Sequence, residues 1–176
     1  MTKTYPDSTI VDEHDNPIGQ MQLPAALEQG KILRVGRVMV INSKGDILLQ
    51  QRGKHVLSPL KWNDAASGHV DAGEEYLSTA IRELQEETGI QVSEDEIERI
   101  DYFFLKEGPA GHQTGRFHTV YKVVYDGEVD ADNDEVEAFR WISPAALSKE
   151  LDEKPETFTG GFTKLARNYL DSVDHI

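Results

Sequence analysis

The run Glu75-Tyr76-Leu77-Ser78-Thr79-Ala80-Ile81-Arg82-Glu83-Leu84-Gln85-Glu86-Glu87-Thr88, followed by Gly89, decides how this chain is built. At about 100° per residue, Leu77, Ala80, Ile81, Leu84 and Thr88 fall on one face, and Gly89 supplies a C-terminal stop, so the run reads as an amphipathic helix. With Leu77 at the origin, Glu86 lies at about 180°, Glu83 at about 240° and Glu87 at about 280°. Three carboxylates therefore crowd the face expected to oppose the core. Like charges one turn apart cost a helix roughly 0.2–0.5 kcal/mol, and the macrodipole disfavours anions near the C-terminus. An acidic solvated face is one reading of this cluster. A compensating cation is the other.

Around the helix, strands and further helices follow in mixed order. Ile10-Val11 and Pro17-Ile18-Gly19 flank a turn at Asp12–Asn16, which suggests a short hairpin in a turn-rich segment ending near Gly30. Ile32–Ile41 and Ile47–Arg52 read as strands joined by a turn over Asn42–Asp46. Gly53–Gly73, with Pro59 and three glycines counting its ends, reads as loop with at most one short strand. Ile100–Leu105 and Phe117–Tyr125 read as strands, with a mobile loop over Lys106–Arg116 between them. Val136–Ile142 is a further strand, Ser143-Pro144 opens a helix in the favoured cap-then-proline order, and a last helix runs from about Phe162 to Val173. The pattern predicts an α/β layered fold with a mixed β-sheet in a single domain, residues 1–30 forming an N-terminal hairpin and extension that packs on a core of 31–176.

Composition narrows the function classes. The 176 residues suit one domain at a typical ~150 residues, and a chain of this size buries roughly 70% of its unfolded surface without staples. There is no cysteine, which excludes disulfides, thiolate metal sites and a cysteine nucleophile. Eighteen basic residues against 32 acidic ones give a net charge of −14. That surface repels a phosphate backbone, so no nucleic-acid polymer and no anionic membrane is expected as a partner. The start lacks the apolar region of a signal peptide and no run spans a bilayer, so the sequence reads as cytoplasmic.

The residues flanking the helix choose between solvation and chemistry. Gly68, Glu74, Arg82, Glu83, Leu84, Glu86, Glu87, Gly89 and Ile90 stand at the spacing G-x5-E-x7-R-E-U-x-E-E-x-G-U, with U a bulky aliphatic. This nine-position pattern over residues 68–90 resembles the signature of the Nudix hydrolases. Independently of that resemblance, glutamate oxygens suit Mg²⁺ or Mn²⁺, and a helix fixes their spacing better than a loop. Arg82 can hold a carboxylate by a bidentate contact. The resemblance implies an α/β/α sandwich in which Glu83, Glu86, Glu87 and the carbonyl of Ser67 hold the metal. It implies a structural salt bridge between Glu74 and Arg82, with Gly68 and Gly89 as structural members of the box.

The resemblance also implies hydrolysis of a small-molecule diphosphate, usually a nucleoside diphosphate linked to another group, by water activated at the metal. The general base is left open among Glu83, Glu86 and Glu87, with Glu107 and Glu135 as outside candidates. By the resemblance Arg52, closing its strand, is a candidate contact for substrate phosphate, and His69 a candidate ligand or substrate contact. Lys54, Lys61 and Arg116 read as surface charge, His112 and His118 as structural or solvated, Trp62 and Trp141 as core. Asp126–Glu137, with seven acids, reads as a solvated hairpin whose Asp130, Asp132 and Asp134 imitate the start of a calcium loop without its later positions.

Beyond the box, Val11–Gly19, Asn42–Arg52, Trp62-Asn63 and Trp141–Pro144 are similar to the isopentenyl-diphosphate-isomerase-like branch of that family. The isomerases use a cysteine before the box histidine, where this chain has Ala66-Ser67-Gly68-His69. They also carry histidine ligands near the first core strand, where Leu33–Ile41 has none. Hydrolysis is therefore expected over isomerisation, with a non-catalytic ligand-binding module as a further alternative. The N-terminal segment and the C-terminal helix are candidates for capping the sheet or for a homodimer contact.

Overall fold

The computed structural model describes residues 6–108, 113–130 and 134–173. The N-terminal hairpin pairs β1 (Asp7–Val11) with β2 (Pro17–Gln22). Its turn is held by Asp12, whose Oδ1 accepts from the backbone N–H of His14 at 2.8 Å and of Asn16 at 2.9 Å, an Asx-type closure. A short helix α1 (Leu23–Glu28) follows, with proline in its first turn. The turn-rich sequence hides this helix because six residues give no periodicity to read.

The long strand β3 (Ile32–Ile41) organises everything else. It runs parallel to β8 (Thr114–Val124) from Leu33↔Arg116 to Ile41↔Val124, and β7 (Glu98–Glu107) pairs antiparallel with β8. On its other edge β3 is shared. Ile32 and Leu33 pair with β1, Val35–Val38 with β6 (Ala66–His69), and only Ile41 meets β4 (Ile47–Arg52). The strand β4 pairs instead with β5 (Trp62–Asn63) and β9 (Val136–Ile142). The mixed sheet thus forks, and a cleft opens between its two arms.

Helices cover both faces, giving an α/β/α sandwich. On one face α2 (Tyr76–Thr88) packs Ala80 and Leu84 against Val38, Val40, Leu48 and Tyr121. On the other, α3 (Pro144–Glu153) and α4 (Gly160–Val173) pack Leu147, Leu151, Phe162 and Leu165 against Met39, Leu49 and Phe103. Glu75 and Ser78 form a reciprocal capping box at the start of α2. At its end Gly89 adopts φ +73°, a left-handed cap that a side chain would strain.

Several expectations are corrected. Gly53–Gly73 contains two short strands rather than one, and the strands flanking Lys106–Arg116 extend to Glu107 and back to Thr114, because ladder pairing overrides the local glycines. The strands on either side of Asp126–Glu137 do not form a hairpin: β8 pairs with β3 and β7, and β9 pairs with β4. Trp141 is 37% exposed rather than core, whereas Trp62 packs against the α3/α4 core beneath the Arg140 guanidinium at 4.2 Å. Pro109, Gly111, His112 and Asp132 lie outside the described residues.

Candidate active site

The carboxylates of α2 do not all face solvent. Glu87 is 7% exposed, the Glu83 side chain is 14% exposed, and only Glu86, at 59%, points outward. A helical wheel counts apolar residues alone, and here the sheet supplies a polar seat beside the apolar one. Gln50 of β4, itself buried, donates to Glu87 Oε2 and to the Ala65 carbonyl. The Glu83 carboxyl lies directly over Gly68 of β6, in the space where a side chain at 68 would stand. A glycine is needed there for close approach rather than for an unusual backbone angle.

Arg82 gathers the other acids. Its Nε donates to Glu74 Oε1 at 3.0 Å and its Nη2 to Glu74 Oε2 at 3.0 Å, a bidentate pair. Its Nη1 reaches Glu83 Oε1 at 2.7 Å and Glu86 Oε2 at 3.2 Å, and its Nη2 reaches Asp71 Oδ2 at 3.4 Å. Of these partners Asp71 has no place in the sequence pattern, and it comes in through the loop that precedes α2. Glu74 is held below its ordinary carboxylate range, chiefly by its hydrogen bonds from Arg82.

Glu83 and Glu87 behave differently. Burial is the main cause that raises both, and the neighbouring Glu83 charge pushes Glu87 further up. Glu135, an exposed outside candidate, stands close enough to oppose ionisation of Glu83. Two desolvated carboxylates side by side form a site short of positive charge, and hard oxygen donors fit a divalent cation. Among the described residues no three carboxylates or imidazoles already converge as a metal-holding group. Arg82 occupies part of the coordinating capacity of Glu83 and Glu86.

The cleft at the fork of the sheet begins beside Ser67 and Gly68 and measures about 1030 Å³. Arg52 stands in it, with Nε donating to the Leu57 carbonyl at 2.7 Å, and burial lowers its guanidinium although Glu87 lies within electrostatic reach. Lys61, Arg116 and His69 also line the cleft, whereas Lys54 pairs with Glu137 at 3.0 Å on the surface. His118 is neither solvated nor remote: it is fully buried and stacks on Phe103 at 4.8 Å.

The deepest charge in the cleft is one that sequence reading missed. Arg37, in the middle of an apolar strand, donates to Asp64 Oδ1 at 2.7 Å and Oδ2 at 3.1 Å, and to Asn63 Oδ1 at 2.8 Å. Both charged side chains are at most 5% exposed. Thr159, just before α4, donates to the same Asn63 oxygen at 2.6 Å, so the pair ties β3 and β5 to the wall formed by α4. An arginine interrupting a buried strand is itself a signal, since it obliges a partner. Glu107 completes the floor, 3.2 Å from Arg116 Nη1 and 3.3 Å from His118 Nε2, and these partners with Arg37 bring its carboxyl down to about 2.

Residues 31–160 match the NUDIX domain family. The chain is 32% identical over 155 residues to an isopentenyl-diphosphate Delta-isomerase of Pectobacterium atrosepticum, covering 87% of this chain and 85% of that one. It is 31% identical over 163 residues to an uncharacterized Nudix hydrolase of Pseudomonas aeruginosa, covering 92% of each. Among solved structures, the Deinococcus radiodurans protein DR0079 superposes with a TM-score of 0.78 at 23% identity, covering 92% of this chain and 98% of that one. An Ap4A hydrolase of C. elegans superposes at 0.59 with 19% identity over 82% and 99% of the two chains. With every box position filled, the box helix seated on the sheet and the family match spanning most of the fold, this chain belongs to the NUDIX domain family, among relatives that include both isopentenyl-diphosphate-isomerase-like proteins and Nudix hydrolases.

Proposed function

We propose that this protein is a metal-dependent hydrolase of small-molecule diphosphates, acting at the junction of α2 and the cleft. The observation that carries the reading is the seating of Glu83 and Glu87, buried and crowded, beside Gly68 at the mouth of a cleft that contains Arg52. Glu83, Glu86, Glu87 and the Ser67 carbonyl would hold a divalent cation, Mg²⁺ or Mn²⁺. When bound, that cation supplies positive charge for the phosphate oxygens and lowers the pKa of a water. Arg52 binds a phosphate oxygen from the cleft side. One of the three glutamates takes the proton of the attacking water as the phosphorus–oxygen bond to the leaving group breaks. Glu74 and Asp71 hold Arg82, and Arg82 orients Glu83 and Glu86. In this reading residues 1–30 are an extension on a catalytic domain of 31–176.

The isomerase names among the relatives favour a second reading, which this chain's residues support poorly. Ser67 stands where that chemistry uses a cysteine. Glu107, with its carboxyl at about 2, is ionised at neutral pH and has no proton to give. Single Gln variants of Glu83, Glu86 and Glu87 test the hydrolase reading, with Mg²⁺ affinity by calorimetry measured beside turnover. Loss of turnover by orders of magnitude with the fold retained is expected. Turnover unchanged in all three would refute the assignment.

A further inference from the structure

The cleft continues past the box, and its inner half carries unmatched polar groups. Among the described residues two buried side-chain nitrogens of this cleft, His69 Nε2 and Arg116 Nε, have no hydrogen-bond partner, whereas His118 Nε2 faces the Glu107 carboxylate at 3.3 Å. Strand register brings them together. His69 of β6 and His118 of β8 both pair with Val35 of β3, and Arg116 is two residues before His118, so all three rise on one face of the sheet. A buried polar nitrogen left unmatched is costly, and two side by side mark where an external partner belongs.

The polarity of these atoms is legible. His118 Nδ1 lies 3.4 Å from Arg37 Nη1, and a guanidinium can only donate, so the imidazole proton sits on Nε2 and faces Glu107 Oε2 at 3.3 Å, which leaves Arg116 Nε as the free donor on this face. Burial holds His118 at about 4, so at neutral pH its ring is uncharged. Charge comes from the rim. Lys61 and Lys164 line the cleft with no ion pair among the described residues, in a chain with 32 acids for 18 bases. The acids that line the cleft are Glu107, already matched by Arg116, and Glu156. Phe158, the cleft's aromatic lining residue, is 2% exposed and offers no free face for stacking a base.

We propose that the inner half of the cleft, between His69, Arg116, His118 and the Lys61/Lys164 rim, is a second anion subsite that takes a phosphate or carboxylate at the end of the substrate remote from the hydrolysed linkage. Its place in catalysis rests on the hydrolase reading; anion binding there does not. Inorganic phosphate and, separately, acetate are titrated into the full chain in EDTA, which silences the box, with calorimetry and the side-chain resonances of His69 and His118 as readouts. Saturable binding that shifts both imidazoles is expected, weakened at least tenfold in Arg116→Gln and in the surface double variant Lys61→Ala/Lys164→Ala. The anion that saturates at lower concentration identifies the remote group. No saturable binding of either anion, or affinity unchanged in both variants, overturns the proposal. Binding here with no turnover of any diphosphate would instead retire the hydrolase reading and leave the subsite standing.

Discussion

Replacing Gly68 by alanine separates the chemistry of this site from its stability. The added methyl would lie 2.7 Å from Glu83 Cγ and nearer still to the carboxyl, whereas ordinary contact begins at 3.4 Å. The atoms it meets are the far end of one flexible side chain, so the strand need not move and Glu83 must. Gly68 has no positive φ, so alanine fits its backbone, and stability is expected within about 1 kcal/mol of wild type. The retreat of Glu83, about 1 Å or more, breaks its 2.7 Å contact with Arg82 and carries an oxygen donor off the site. A displacement of that size costs about 10²-fold in rate, or about 2.7 kcal/mol of barrier. The assay is kcat/KM for a turned-over diphosphate, with the urea midpoint measured on the same preparation. A kcat/KM within twofold of wild type would refute the reasoning, as would an activity loss that simply tracks unfolding.

Two further outcomes follow from the cleft floor. Asp64→Ala leaves the Arg37 guanidinium buried without its counter-charge and is expected to cost about 3–5 kcal/mol, while the apolar double variant Arg37→Met/Asp64→Leu recovers most of it; urea denaturation of the three proteins decides. His118, lowered from 6.5 to about 4, binds its proton less well folded than unfolded. Its contribution is fully present above pH 6.5 and is lost as pH falls towards 4, about 3 kcal/mol in all. Glu107, lowered from 4.5 to about 2, keeps its own contribution above 4.5 and loses it only as pH approaches 2. Stability measured between pH 7 and 4 should therefore fall more steeply in wild type than in His118→Gln, and parallel slopes would contradict the burial of a neutral imidazole.

Much of this architecture was legible because local and global signals agree. The observed strands at Ile32–Ile41, Ile47–Arg52 and Val136–Ile142 coincide with their apolar runs, and α2 follows from its 3.6-residue period and its glycine stop. What escaped was decided by pairing over long distances. The ladder between β7 and β8 pulls Lys106, Glu107 and Thr114 into strands that their glycine-rich surroundings disguise. The inward turn of Glu83 and Glu87 needs Gly68 and Gln50, which lie 15 and 37 residues before them and leave no trace in a helical wheel. Arg37 and Thr159 meet at Asn63, with Asp64 beside it, only because β3, the end of β5 and the start of α4 converge, and Glu107 and His118 join them through register. The box motif marked one wall of the cleft, while the other wall exists only in three dimensions.

The most direct test of the account is phosphate release from a panel of nucleoside diphosphate derivatives and isopentenyl diphosphate, with Mg²⁺ or Mn²⁺, in wild type and Glu87→Gln. Metal-dependent release from at least one diphosphate, abolished by EDTA and reduced by orders of magnitude in Glu87→Gln, is the predicted result. Conversion of isopentenyl diphosphate to its isomer without phosphate release, or release that survives in Glu87→Gln, would contradict it.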